Sequence, residues 1–125
     1  MRGVVLVALG GALGSVARYL TTIVAIRWMG VDFPWGTLAV NLVGSFLIGV
    51  VHELGATAVS LSPEARLFLA TGVMGGLTTY SAFSYETARF LETQPWIAWV
   101  YVIVTTVACV GLCLIGMAAI RHFAR

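Results

Sequence analysis

The sequence predicts an all-α membrane protein with four transmembrane helices, the third broken near its middle. Three observations carry that prediction. Hydrophobic residues make up 60% of the 125 positions and charged residues 10%, whereas a soluble domain carries about 25% charged residues. Four apolar stretches each approach the roughly 20 residues that a helix needs to cross a hydrocarbon layer about 30 Å thick. The three prolines, Pro34, Pro63 and Pro95, fall just before or at the start of the second, third and fourth stretches, where a missing backbone N–H would go unpaired anyway. So few charges cannot coat a soluble enzyme of this size, and so apolar a chain does not stay disordered. The net charge of +2 comes from seven arginines and no lysine, too little for a nucleic-acid footprint. The chain reads as one transmembrane domain over residues 1–125.

The first span covers about residues 3–26 and carries Arg18 inside it. Arg2 followed by an apolar run resembles a signal peptide, but the run continues past Arg18 for a full span, so it reads as a membrane helix. Gly10 and Gly14 form a GxxxG pair suited to a close helix crossing. Arg18 either snorkels to the interface or sets positive charge at the mouth of a pore. The second span covers about residues 35–51 and holds Asn41, whose amide offers two donors and an acceptor. A buried amide in lipid serves as an interhelical hydrogen bond or marks a pathway.

The third span, about residues 65–88, contains the run Gly72-Val-Met-Gly75-Gly76-Leu-Thr78-Thr79-Tyr80-Ser81-Ala82-Phe83-Ser84. Adjacent glycines followed by adjacent threonines make a poor helix centre. A break is expected over Gly75 to Thr79, freeing carbonyls on one side and N–H groups on the other. In membranes such breaks occur where backbone lines a cavity or binds an ion. Gly72 and Gly76 also satisfy GxxxG, which points to tight packing instead. Tyr80 and Phe83, three apart, share a helical face, where they form an aromatic packing pair or offer ring edges positive enough to meet an anion. Glu86 is expected to pair with Arg89 or to face water.

The fourth span, about residues 96–120, places Tyr101, Thr105 and Cys109 along one stripe. They form a track of weak donors unless the threonine bonds back to its own helix. Cys109 and Cys113 lie one turn apart without His or carboxylate neighbours, so they read as packing residues rather than a disulfide or metal site. Trp35, Trp96 and Trp99 read as interfacial anchors, and His52, Glu53 and His122 as solvated span ends. No zinc, nucleotide or triad spacing occurs, so no enzyme is expected. With four spans, Arg2, Arg66, Arg121 and Arg125 share one side against Arg27 and Arg89, or those two plus Arg18. So small a difference is a weak vote for either orientation and is compatible with insertion both ways round.

Three segments together resemble the CrcB/Fluc fluoride channel family. They are Gly11-Ala-Leu-Gly14-Ser-Val-Ala-Arg18-Tyr19, Gly36-Thr-Leu-Ala-Val-Asn41-Leu-Val-Gly44-Ser45-Phe46 and Gly75-Gly76-Leu-Thr78-Thr79-Tyr80-Ser81-Ala82-Phe83-Ser84. The resemblance covers essentially the whole chain. It implies an antiparallel, dual-topology homodimer in the cell inner (plasma) membrane, with two fluoride pathways along the subunit interfaces. It also implies a structural sodium ion at the centre, held by the backbone carbonyls of Gly75 and Thr78. Asn41, Tyr80, Ser81, Phe83, Tyr101 and Thr105 would line the anion pathway, with Arg18 near the pore entrance. The chain departs from the family pattern at Tyr80, where Phe is usual, at Ala82, where a hydroxyl residue is common, and at Cys109, a weaker donor than Ser. The implied function is passive, selective fluoride efflux that confers fluoride resistance. A small multidrug exporter shares the size and layout but needs a membrane-embedded carboxylate, which no span centre supplies. A scaffold protein would explain the glycines and leave Asn41, Tyr80 and Thr105 without a task.

Overall fold

The computed structural model describes residues 1–57 and 61–124; Arg125, counted above among the basic residues of one side, lies outside them. The described chain is helical almost throughout. Helix α1 is Arg2–Met29 and α2 is Trp35–Leu54. Helix α3, residues 63–77, opens at Pro63–Arg66, widens into a π-helix over Leu67–Met74 and closes at Gly75–Leu77. After two extended residues come α4, Tyr80–Thr93, and α5, Pro95–Phe123. Three of these helices, α1, α2 and α5, are long and apolar enough to cross a membrane. At 1.5 Å per residue the 28 residues of α1 reach about 42 Å, more than the hydrocarbon layer requires.

The helix starts follow the expected chemistry. Pro63 and Pro95 occupy the first turns of α3 and α5, and Pro34 caps α2. The Ser62 hydroxyl accepts the Ala65 N–H, closing the first turn of α3. The helices outrun the apolar stretches by a few residues because their final turns carry polar groups. In α5 this extension brings Arg121 onto Glu53 of α2, with Nε and Nη2 at 2.8 and 3.0 Å from the two carboxylate oxygens.

Glycine sets the packing. Gly10 and Gly14 of α1 sit against Gly72 and Val73 of α3, and a Cβ at Gly10 would lie 2.6 Å from the Phe68 carbonyl. Gly76 abuts the Gly11 carbonyl in the same way. Gly49 and Gly116 bring α2 and α5 into backbone contact at Cys113 and Phe46. Such close approach is how membrane helices gain dispersion contacts where lipid competes equally for apolar side chains. The outer faces are apolar: Leu13, Val107 and Leu114 are each 60% exposed or more, as hydrocarbon contact permits.

The break lies later than the glycines suggest. Gly75 is helical at φ −62°, ψ −36°, and the chain turns extended only at Thr78 (φ −80°, ψ 156°) and Thr79 (φ −151°, ψ 112°). Gly75 and Gly76 therefore belong to the helix, and Gly76 serves the crossing with α1. Two consecutive β-branched residues, whose χ1 freedom a helix restricts, take the extended conformation. Thr79 then caps the new helix, its hydroxyl accepting the Ala82 N–H at 3.2 Å.

Candidate anion groove

A break in low-dielectric surroundings leaves backbone groups that cost several kcal/mol each if unsatisfied. Asn41 covers two of them. Its Nδ2 donates to the Thr79 carbonyl at 3.1 Å, and its Oδ1 accepts the Thr79 N–H at 2.8 Å. Arg18 covers a third, its Nε donating to the Gly76 carbonyl at 3.0 Å. The arginine thus reaches across from α1 and fixes the end of α3.

Two carbonyls lose their usual helical donors by the same rearrangement. The Thr79 N–H, which would serve Gly75 in a continuous helix, goes to Asn41. The Ala82 N–H, which would serve Thr78, goes to the Thr79 hydroxyl. These are the two carbonyls that the family resemblance assigns to sodium. A Cβ at Gly75 would meet nothing within 4 Å, so the space beside it is open.

Beside the break an open groove of about 470 Å³ runs between α2, α3 and α5. Asn41, Gly75, Thr78, Tyr80, Phe83 and Thr105 line it, together with Gly44, Ser45, Thr106 and Cys109. Among the described residues no charged side chain lines it. Tyr80 stands 79% exposed at its edge, and Phe83 is buried, their ring centroids 5.5 Å apart and tilted by 56°. Thr105 is 7% exposed, and its hydroxyl oxygen is buried without a hydrogen-bond partner among the described residues. Thr105 thus lines the groove with a hydroxyl that is not bonded back to its own helix but is closed off from the open space.

The remaining candidates stand elsewhere. Tyr101, one turn before Thr105, is fully buried behind Phe83, with ring centroids 5.0 Å apart, and does not line the groove. Its hydroxyl donates to Glu86 at 2.8 Å. Ser81 is exposed and lies outside the lining, its hydroxyl 3.4 Å from that of Thr79. Arg18 is on the α1 side of the break, away from the groove lining.

Glu86 departs from expectation. Its carboxylate pairs with neither Arg89 nor bulk water alone: one oxygen accepts the Thr37 hydroxyl at 2.6 Å and the other accepts Tyr101. Arg89 pairs instead with Glu92 at 3.3 Å. Glu86 and Thr37 also line a second cavity of about 370 Å³ near the α1–α2 turn, with Asp32, Arg89 and Phe90. The Thr37–Glu86–Tyr101 cluster with Phe83 thus separates the two cavities. Thr37 lies 49 residues before Glu86, so no local spacing reveals the pair; an acid in a segment otherwise poor in charge was the one available signal.

A family model described as CrcB-like protein, Camphor Resistance (CrcB), matches residues 5–117. The chain is 47% identical over 117 residues to a fluoride-specific ion channel FluC of Sorangium cellulosum, covering 93% of this chain and 92% of that protein. It is 46% identical over 123 residues to the fluoride-specific ion channel FluC of Agrobacterium fabrum, covering 98% of each. A third FluC, from an Anaeromyxobacter species, is 46% identical over 125 residues.

Proposed function

The chain belongs to the CrcB family, and from that membership together with the groove we propose that it is a channel for passive, fluoride-selective efflux across the cytoplasmic membrane. It is a conduit, not an enzyme, as its fluoride-channel relatives are. The observation that carries this reading is the Thr105 hydroxyl, buried without a partner among the described residues in the wall of a groove free of charged side chains. Fluoride is small and strongly hydrated, and a pore must replace its water with donors while holding it weakly enough to release it. The Thr105 hydroxyl, the remaining Asn41 N–H and the ring edges of Tyr80 and Phe83 supply neutral, individually weak contacts. A fixed cation in the groove would trap the ion; a carboxylate would repel it.

The groove is open on one side and Tyr80 stands out from it. A second copy inserted the opposite way round would close it, giving an antiparallel homodimer with two pathways. The near-even arginine distribution supports insertion in either sense. The carbonyls of Gly75 and Thr78 suit a sodium ion, being hard oxygen donors whose helical partners are engaged elsewhere. A bound sodium supplies positive charge that offsets converging carbonyl dipoles and ties the two copies together. Tyr101 and Glu86 form the next polar station beyond Phe83, and Ser81 marks the outer side of the break.

The test is a fluoride-electrode measurement on proteoliposomes, with sodium present and with sodium replaced by a large organic cation. Rapid efflux of fluoride but not chloride is expected, with the rate dependent on sodium. Absence of fluoride efflux, or comparable chloride efflux, overturns the reading.

A further inference from the structure

A census of donors around the groove shows which hydroxyls are free. Six hydroxyls, those of Thr21, Thr22, Ser84, Thr87 and Thr93 within helices and Thr78 at the end of one, donate back to the carbonyl four residues earlier, the usual fate of Ser and Thr in membrane helices. Ser45 does not: among the described residues its hydroxyl has no partner, and it faces the groove. Ser45 lies one turn beyond Asn41 on α2, so the two share a helix face.

The other polar groups near the break are committed. Asn41 gives its carbonyl and one N–H to Thr79. Thr78 gives its hydroxyl to Met74, and the Thr79 oxygen accepts Ala82. On the α2 wall this leaves one amide N–H and the Ser45 hydroxyl, facing the α5 wall that carries Thr105. A dehydrated anion needs several donors at once, and the α5 wall offers the hydroxyls of Thr105 and Thr106 and the weak thiol donor of Cys109, so a further hydroxyl on the α2 wall completes the set.

We propose that Ser45 is a further anion-contacting residue of the groove, which donates its hydroxyl to fluoride one turn beyond Asn41 and sharpens the preference for fluoride over larger halides. This rests on the channel reading given above. A hydroxyl discriminates by size because a short hydrogen bond gains most from the most concentrated charge. Serine also accomplishes this without a fixed charge, so the ion is released again.

The test compares fluoride and chloride efflux from proteoliposomes carrying the wild-type chain, S45A, S45T, S45C and T105A. S45A is expected to slow fluoride efflux about fivefold, the effect of one neutral hydrogen bond, and to raise the fluoride concentration at half-maximal rate. S45T, which restores the hydroxyl, is expected within about twofold of wild type by the same reckoning, and a purely packing role for Ser45 would not produce that rescue. S45C, with a weak donor of similar size, is expected between the two and decides the matter if S45A does not yield monodisperse protein. A wild-type rate and half-maximal concentration in S45A, or in S45C where S45A does not assemble, overturns the role of Ser45 while a slowed T105A leaves the channel reading standing. If the wild-type chain passes no fluoride, the channel reading falls and this inference with it.

Discussion

The two sides of the break at Thr78–Thr79 are made from the same few residue types and are put to opposite use. On the α1 side, Gly10, Gly14, Gly72 and Gly76 bring backbone against backbone, and Arg18 spends its Nε on the Gly76 carbonyl. There the backbones of α1 and α3 meet directly, too close for a side chain at Gly10, Gly14, Gly72 or Gly76. On the α2–α5 side, a glycine such as Gly75 stands in open space, and the hydroxyls of Ser45 and Thr105 have no partner. A broken membrane helix must be fixed from one side before its other side can be left unsatisfied. The closed side supplies that rigidity, and Asn41 shares both tasks by satisfying the Thr79 backbone from the groove wall.

Substitutions should separate the two sides by kind of defect as well as by size. The largest effect is expected at the closed side. In Gly14→Leu the new side chain falls on the Val73 carbonyl and the Leu77 N–H, and overpacking against backbone costs about 3 kcal/mol or more. Size-exclusion chromatography in detergent should show loss of the monodisperse species; a well-folded Gly14→Leu variant would break the contrast. Next comes Asn41→Asp. A carboxylate cannot donate to the Thr79 carbonyl, and its charge opposes the anion in the groove, so fluoride efflux should fall about a hundredfold while the protein still assembles. The smallest effect sharpens the contrast within one residue type. Thr105→Ala should slow efflux about fivefold, whereas Thr21→Ala, which removes a hydroxyl already bonded to Ala17 on exposed α1, should leave the rate unchanged in the same assay.

Much of the fold was legible because its signals are local. Apolar runs, prolines at helix starts and a weak helix centre before Tyr80 all act within a few residues. The helices nevertheless run beyond the apolar runs, since polar final turns such as Arg27-Trp28-Met29 still form helical hydrogen bonds. The break shifted from the glycines to the threonines because tertiary packing decided it: Gly76 is needed helical against α1. The π-helix at Leu67–Met74 has no local signature, its sequence being apolar except for Thr71. In the groove, the period of four along α5 placed Thr105 and Cys109 together but also suggested Tyr101. That residue is instead drawn to Glu86 and the Phe33–Phe83–Phe90 rings. Partners separated by dozens of residues, such as Asn41 with Thr79 or Arg18 with Gly76, are set by the fold and cannot be read from spacing.

The groove itself carries a built-in probe. The Cys109 thiol lines it, whereas Cys113, one turn on, does not. Mercuric ion binds thiolate tightly and would place a bulky cation in the path. Fluoride efflux should be measured before and after mercuric ion in the wild-type chain, Cys109→Ser and Cys113→Ser, each against its own untreated rate. The groove as the route of fluoride requires that treatment abolish efflux in the wild-type chain and in Cys113→Ser and spare Cys109→Ser. Efflux that resists treatment in all three, or that is lost equally in Cys109→Ser, would contradict it.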